Sequence, residues 1–257
     1  MKLSRKYVEK PWGRTSLPPM FDPPQGERIG EVWFTGGADL PLLAKYIFTS
    51  ERLSIQVHPN DEQAHARGLA SGKKECWYIL DTEPDAVIGL GVTRELAPAE
   101  LRAAALDGSI EQLMDWRPVK GGDFILVPPG TIHAIGAGIS LLEFQQNADV
   151  TYRLYDYGRP RELHLEDGVA VANARPFDEK FVQHVSAGEQ RALVEGPPFT
   201  LVSATTDVLS ERPRWVMPIE GQVQSGGELA EAGDCLTVQP GERVEAGGAW
   251  MLIGATA

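Results

Sequence analysis

An all-β chain is the fold class that the sequence predicts, and two observations predict it. Short runs of alternating apolar and polar residues recur along the chain, and 27 glycines and 19 prolines break them at turn spacing. A strand-turn-strand unit also occurs twice, 111 residues apart, as Gly122-Asp123-Phe124-Ile125-Leu126-Val127-Pro128-Pro129-Gly130 and Gly233-Asp234-Cys235-Leu236-Thr237-Val238-Gln239-Pro240-Gly241. Two copies of one unit imply two related β domains.

The elements follow in order. Residues 53–57, 75–80, 124–127, 140–144 and 236–238 alternate as strands. Two stretches depart from that period. Residues 60–69 open with the capping side chains Asn60 and Asp61 and read as a short helix. Residues 98–116 begin at Pro98, carry Leu101, Ala104, Ala105, Ile110, Leu113 and Met114, and read as a helical pair broken at Asp107-Gly108. Both are excursions from a β scaffold. The repeat sets the expected division: a first domain over 1–175 and a smaller second β domain over 176–257, joined near 174–180. At the repeat offset His133 falls on Val244, so the second copy lacks that histidine.

Bulk properties exclude several classes. A formal net charge of −12 argues against a nucleic-acid partner, because phosphate-backbone binding needs clustered Lys and Arg. No stretch reaches the roughly 18 apolar residues that span a bilayer, and Met1-Lys2-Leu3-Ser4-Arg5-Lys6 is followed by no apolar signal region, so a cytoplasmic protein without a membrane partner is expected. Cys76 and Cys235 each sit in apolar alternating runs and are expected as buried free thiols. An anionic substrate would need a local cationic patch, for which Lys45, Lys73, Lys74, Arg153 and Arg159 are candidates, Lys74 reading best as surface charge. The sequence leaves the oligomeric state open.

The chemistry concentrates in Gln56-Val57-His58-Pro59, in Glu75 of Gly72-Lys73-Lys74-Glu75-Cys76-Trp77, and in His133 of Pro129-Gly130-Thr131-Ile132-His133. On a strand Gln56 and His58 project to one face, and neighbouring strands can bring Glu75 and His133 to it. One amide, two imidazoles and one carboxylate can hold a divalent ion while leaving it partly unneutralised, which suits Lewis-acid chemistry. His65 and His184 read as surface residues, while His164 could border the pocket, a place that nothing in the sequence requires. Glu143 interrupts Ile139-Ser140-Leu141-Leu142-Glu143-Phe144 and has three open roles: a further ligand, an ion-pair partner for Arg153, or a proton-transfer group. Arg153 itself has Asp149 or Asp156 as a plain ion-pair partner. Trp12, Trp33 and Trp77 read as core or pocket wall.

Several long motifs in one order carry a resemblance. They include Pro11-Trp12-Gly13, Ile29-Gly30-Glu31-Val32-Trp33, Pro41-Leu42-Leu43-Ala44-Lys45, Leu53-Ser54-Ile55-Gln56-Val57-His58-Pro59-Asn60-Asp61-Glu62, Gly72-Lys73-Lys74-Glu75-Cys76-Trp77-Tyr78-Ile79, Val127-Pro128-Pro129-Gly130-Thr131-Ile132-His133-Ala134-Ile135-Gly136 and Asp149-Val150-Thr151-Tyr152-Arg153-Leu154-Tyr155-Asp156-Tyr157. The chain resembles the type I mannose-6-phosphate isomerases of the cupin superfamily, in their short bacterial form, from near its N-terminus to about residue 172. The resemblance implies a cupin-type jelly-roll β-sandwich with a short helical excursion and a second, degenerate cupin-like domain. It implies one Zn2+ per chain on Gln56, His58, Glu75 and His133, and a phosphosugar substrate converted between mannose 6-phosphate and fructose 6-phosphate through an enediolate. It gives Arg153 a catalytic role, Lys73 and Glu143 proton-transfer or orienting roles, and Ser54, Lys45 and Arg159 places at the substrate phosphate. The family usually has lysine where Arg159 stands. The C-terminal part is shorter than usual, and only residues 98–116 stand for the family's large helical domain. The residues also fit two other readings, a metal-loaded cupin that binds a phosphosugar without turnover and a cupin oxygenase, the latter less well because of the glutamine ligand.

Overall fold

The computed structural model describes residues 1–36 and 40–257. The strands in chain order are β1 (Ser4–Arg14), β2 (Ile29–Thr35), β3 (Leu42–Phe48), β4 (Ile55–Val57), β5 (Glu75–Thr82), β6 (Val87–Val92), β7 (Met114–Pro118), β8 (Asp123–Val127), β9 (His133–Ile135) and β10 (Ile139–Gln146). They continue as β11 (Tyr152–Tyr155), β12 (Val182–His184), β13 (Arg191–Val194), β14 (Phe199–Ala204), β15 (Arg214–Glu220), β16 (Gln222–Ser225), β17 (Glu228–Glu231), β18 (Leu236–Val238) and β19 (Trp250–Thr256). The helices are short: α1 (Asp61–His65), α2 (Pro98–Asp107), α3 (Ile110–Leu113) and α4 (Leu165–Val171). The all-β expectation holds, with helices as excursions. No helix among the described residues is long and apolar enough to cross a membrane.

Helix α1 starts where Asn60 accepts from the Gln63 amide at 2.8 Å while the Gln63 side chain accepts from the Asn60 amide at 3.0 Å, a reciprocal capping box. It is shorter than the expected 60–69. Helix α2 starts at Pro98 and stops at Gly108, whose φ of 82° no other residue adopts without strain. The expected helix to residue 116 ends earlier, because Met114 pairs with Val92 and the chain leaves as β7.

Contacts divide the chain into two compact units: Met1–Phe48 with Leu142–Gln146 and His184–Ala257, and Thr49–Leu141 with Asn147–Gln183. These units are cut differently from the sequence segments 1–175 and 176–257. The reason is visible inside the terminal unit. Buried Asp234 takes an ion pair from Lys2 at 2.6 Å and one from Arg5 at 2.7 Å, and the Tyr46 hydroxyl accepts from the Gly233 amide at 3.1 Å. The N-terminal strands therefore fold with the C-terminal repeat. In this unit β1, β2 and β3 run antiparallel, and a second sheet has the order β13-β14-β19-β15-β18. Phe144 packs edge-on against Phe199 at 5.1 Å.

The central unit holds a five-stranded sheet of order β11-β4-β9-β6-β7, with β5 and β8 paired antiparallel in another sheet. Ile55, Val57, Leu101, Ile132, Leu154 and Val171 form its apolar cluster beneath α2 and α4. Each unit contains one copy of the repeat, and the copies share their turns. Asp123 accepts from the Lys120 amide at 2.9 Å and Asp234 from the Glu231 amide at 3.1 Å. Gly122 and Gly233 have φ of 90° and 91°, and Gly130 and Gly241 have 83° and 80°. Cys76 and Cys235 are buried free thiols, as expected.

Gly72 joins α1 to the segment before β5. A Cβ there would sit 2.4 Å from the Asn60 carbonyl carbon and 2.7 Å from the Asp61 amide nitrogen, both backbone atoms with nowhere to move. Gly72→Ala is therefore expected to cost about 1–3 kcal/mol of stability, the range for overpacking, and to lower the Tm in a thermal melt.

Candidate metal centre

The site is built on β4. Ile55 and Val57 point into the apolar cluster, so alternation turns Gln56 to the opposite face, and His58 follows with the same parity. Gly130 fixes the position of His58 by donating its amide to the His58 carbonyl at 2.8 Å. Strand β4 lies between β9 and β11, and in that register Gln56 is opposite His133 on one side and Arg153 on the other. The Arg153 amide and carbonyl both bond to His164, at 3.3 and 2.8 Å, away from β4. Arg153 and Gln56 are thus a non-hydrogen-bonded pair, the kind whose Cα atoms approach to ~4.5 Å and whose side chains stand closest. Glu75 enters from the start of β5, held opposite Val127 of β8.

The candidate ligating atoms converge. The His58 Nε2 and His133 Nε2 atoms each lie 3.4 Å from a different Glu75 oxygen, and the Gln56 Nε2 lies 3.2 Å from His133 Nε2. One ligand atom from each of His58, Glu75 and His133 can be chosen so that all lie within 4.8 Å of one another, and all three residues are buried. A tetrahedron with metal–ligand distances of ~2.1 Å has edges of roughly 3.4 Å, so the spacing suits a small divalent ion. The tautomer suits it too. His133 Nδ1 lies 2.9 Å from the Thr131 carbonyl, which can only accept, so the proton is on Nδ1 and the Nε2 lone pair faces inward. Ser54 adds a hydroxyl 3.0 Å from the Gln56 Oε1. Because a hydroxyl both donates and accepts, it can support either orientation of that amide.

Protonation states agree with ligation. Burial, then the Lys73 charge, pushes His58 down to about 3 against the pull of Glu75, and burial also lowers His133. Burial opposes ionisation of Glu75, but Lys73 and then His58 more than offset it and hold the carboxyl well below the usual range. The centre is therefore two neutral imidazoles and a carboxylate, the forms a metal takes. Lys73 Nζ lies 2.9 Å from Glu75 and 3.2 Å from His58. Trp77 sets its ring edge against His133 at 5.4 Å, and Trp12 is buried as well.

The remaining residues fall into other groups. Lys45 and Glu143 belong to the terminal unit, where they pair at 3.0 Å. Arg153 makes no ion pair among the described residues; its guanidinium donates to the Glu162 carbonyl at 3.4 Å. Asp156, one of its expected partners, is taken by Arg159 at 3.1 Å and Arg161 at 2.6 Å. Arg159 also pairs with exposed Glu51 at 3.0 Å. Lys74 is half-buried, and His65 and His184 are exposed. Sequence reading missed the Thr131 carbonyl, a backbone atom without a sequence signal, and His164, whose contact with Arg153 depends on the path of the loop between them.

No protein-family profile matches the chain. Among curated relatives it is 45% identical over 159 residues to the mannose-6-phosphate isomerase ManA of Bacillus subtilis, which covers 58% of this chain and 49% of ManA. It is 33% identical over 226 residues to the probable mannose-6-phosphate isomerase GmuF of the same organism, covering 79% and 70%. The matched stretch thus spans about half the length of ManA. Among solved structures, the mannose 6-phosphate isomerase from Bacillus subtilis superposes with a TM-score of 0.83 at 26% identity, over 98% of each chain. A zinc-bound mannose 6-phosphate isomerase superposes at 0.74 and 13% identity, covering 99% and 98%, which is a likeness of fold. The fold likeness therefore extends past residue 172, where the sequence motifs end.

The depressed histidine gives a pH dependence with a definite sign. Between about 3 and the ordinary value of 6.5 the unfolded chain takes up a proton that folded His58 refuses. Stability of the metal-free protein is expected to be fully present above about 6.5 and to fall as pH drops towards 3, by no more than ~1.4 kcal/mol per pH unit for this one proton. Urea titrations at several pH values check it, and His58→Leu should flatten the slope.

Proposed function

The chain belongs to the mannose-6-phosphate isomerases, and on that premise we propose that it interconverts mannose 6-phosphate and fructose 6-phosphate, with one zinc ion on Gln56, His58, Glu75 and His133. The observation that carries this reading is the buried convergence of His58, Glu75 and His133, in ligating protonation states, beside Gln56.

The reaction moves a proton between C1 and C2 of the sugar, and its barrier is the weak acidity of a carbon next to a carbonyl. Bound zinc would supply a Lewis acid for the C1 and C2 oxygens. Arg153, opposite Gln56 and without an ion pair among the described residues, contributes a fixed positive charge beside the developing enediolate. Proton transfer falls to Lys73 or Glu143. The geometry supports Lys73, whose Nζ is within 3.2 Å of two candidate ligand side chains. Arg159 and Ser54 serve the phosphate. A phosphate at Arg159 competes with Glu51, an exposed carboxylate that can swing away into water.

Metal analysis of the purified protein together with a coupled mannose 6-phosphate assay tests the proposal. Zinc with turnover is expected; zinc without turnover points to a binding protein, and iron with oxygen uptake overturns the isomerase. His133→Ala should lose both metal and activity. Arg153→Ala should keep its zinc and lose ~100-fold or more in kcat, the scale for removing one group that stabilises developing charge.

A further inference from the structure

We infer that His164 is a positioning residue for Arg153, holding it in register through an imidazole acceptor that takes the place of a neighbouring strand. The inference rests on the reading of Arg153 given above.

Strand β11 is at the edge of its sheet, with β4 on one side and, among the described residues, no strand on the other. An edge strand has outward backbone groups without ladder partners. At Arg153 these are its N–H and C=O. Both are taken by one residue: the His164 amide donates to the Arg153 carbonyl at 2.8 Å, and the Arg153 amide donates to the His164 Nδ1 at 3.3 Å. The pair copies the two-bond exchange of an antiparallel ladder, with an imidazole nitrogen standing in for a carbonyl oxygen. Glu162 joins the clamp by accepting from the Arg153 guanidinium at 3.4 Å. His164 is itself fixed, because its carbonyl accepts from Gly168 at 2.8 Å in the first turn of α4 and its ring packs on Tyr152 at 6.1 Å.

The clamp is placed where movement would matter. The pairing of β11 with β4 shifts register between Arg153 and Tyr155, so the ladder is irregular immediately after Arg153. Without the outer clamp, the strand that aims the guanidinium would keep ladder hydrogen bonds on the β4 side alone, beside the packing of Tyr152 and Leu154 in the apolar cluster. A displacement near 1 Å at a charge-stabilising group can cost up to ~100-fold in rate, although the hydrogen bond alone is worth far less.

The experiment uses the zinc-loaded full chain and five variants. Asparagine carries its Oδ1 where histidine has Nδ1, whereas glutamine carries its oxygen nearer to Nε2 and leucine has no acceptor. His164→Leu and His164→Gln are expected to lose about tenfold in kcat with KM and zinc content unchanged, and His164→Asn is expected to restore at least half of the wild-type kcat. In an Arg153→Ala background His164→Leu should have no further effect. Wild-type kcat in His164→Leu while Arg153→Ala is inactive overturns the positioning role alone. A His164→Asn loss as large as that of His164→Leu, or an undiminished His164→Leu effect without Arg153, overturns it as well. Full activity in Arg153→Ala overturns the reading of Arg153 and this inference with it.

Discussion

The register of three strands at one residue is the constraint on which the centre depends. Gln56 is paired with His133 of β9 and with Arg153 of β11, so an amide, an imidazole and a cationic side chain form one row across the sheet. A slip of one residue on β4 would turn Gln56 into the apolar cluster and bring Val57 or Ile55 to the ligand face. Such a slip would bury a polar amide among apolar groups and expose two branched side chains that are now fully buried. The same packing that stabilises the central unit therefore also fixes the geometry of the donors. Gly130, through its bond to the His58 carbonyl, ties the end of that row to the turn that carries His133.

Electrostatics make the row usable. A carboxylate as deeply buried as Glu75 would resist ionisation by itself, and Lys73 at 2.9 Å is the largest opposing influence. His58 is kept neutral first by burial and then by the same lysine charge that keeps Glu75 ionised, so one side chain acts on two candidate donors. A divalent ion bound there would meet one carboxylate and neutral donors with the Lys73 ammonium beside them, and would keep most of its own charge. Lys73 is held in turn by its amide bond to the Pro59 carbonyl, and Gly72 allows that backbone to run against Asn60.

Much of this was legible in the sequence, because the features concerned are local. Alternation located β4, β5, β8, β10 and β18, and period-two geometry alone put Gln56 and His58 on one face. Features that depend on partners distant in sequence were not legible. Met114 continues a helical pattern, yet its pairing with Val92 draws it into a strand. Lys2 and Arg5 gave no sign of their joint hold on Asp234, and this pairing ties the N-terminal strands to the C-terminal repeat. His164 offered only a lone imidazole in a polar loop. Its relation to Arg153 exists because β11 is an edge strand, and an edge is a property of the assembled sheet.

The repeat separates scaffold from chemistry. Both copies keep the Asp-capped turn and the left-handed glycines at equivalent places, so the backbone solution is the same in each unit. At the position of His133 the second copy has Val244, which is buried in an apolar cluster with Val216, Leu236 and Met251. Its amide is held by Asp207, which also accepts from fully buried Arg214. An imidazole at that position would need a partner for each nitrogen, and the cluster is made of side chains that provide none. The valine side chain asks for no hydrogen bond and adds to the core. One strand-turn-strand unit thus serves two ends: in the central unit the inward position is polar because neighbouring strands supply Gln56, His58 and Glu75, and in the terminal unit it is apolar because they do not. What distinguishes the two copies is the set of side chains converging on that position, while the turn that presents it stays the same.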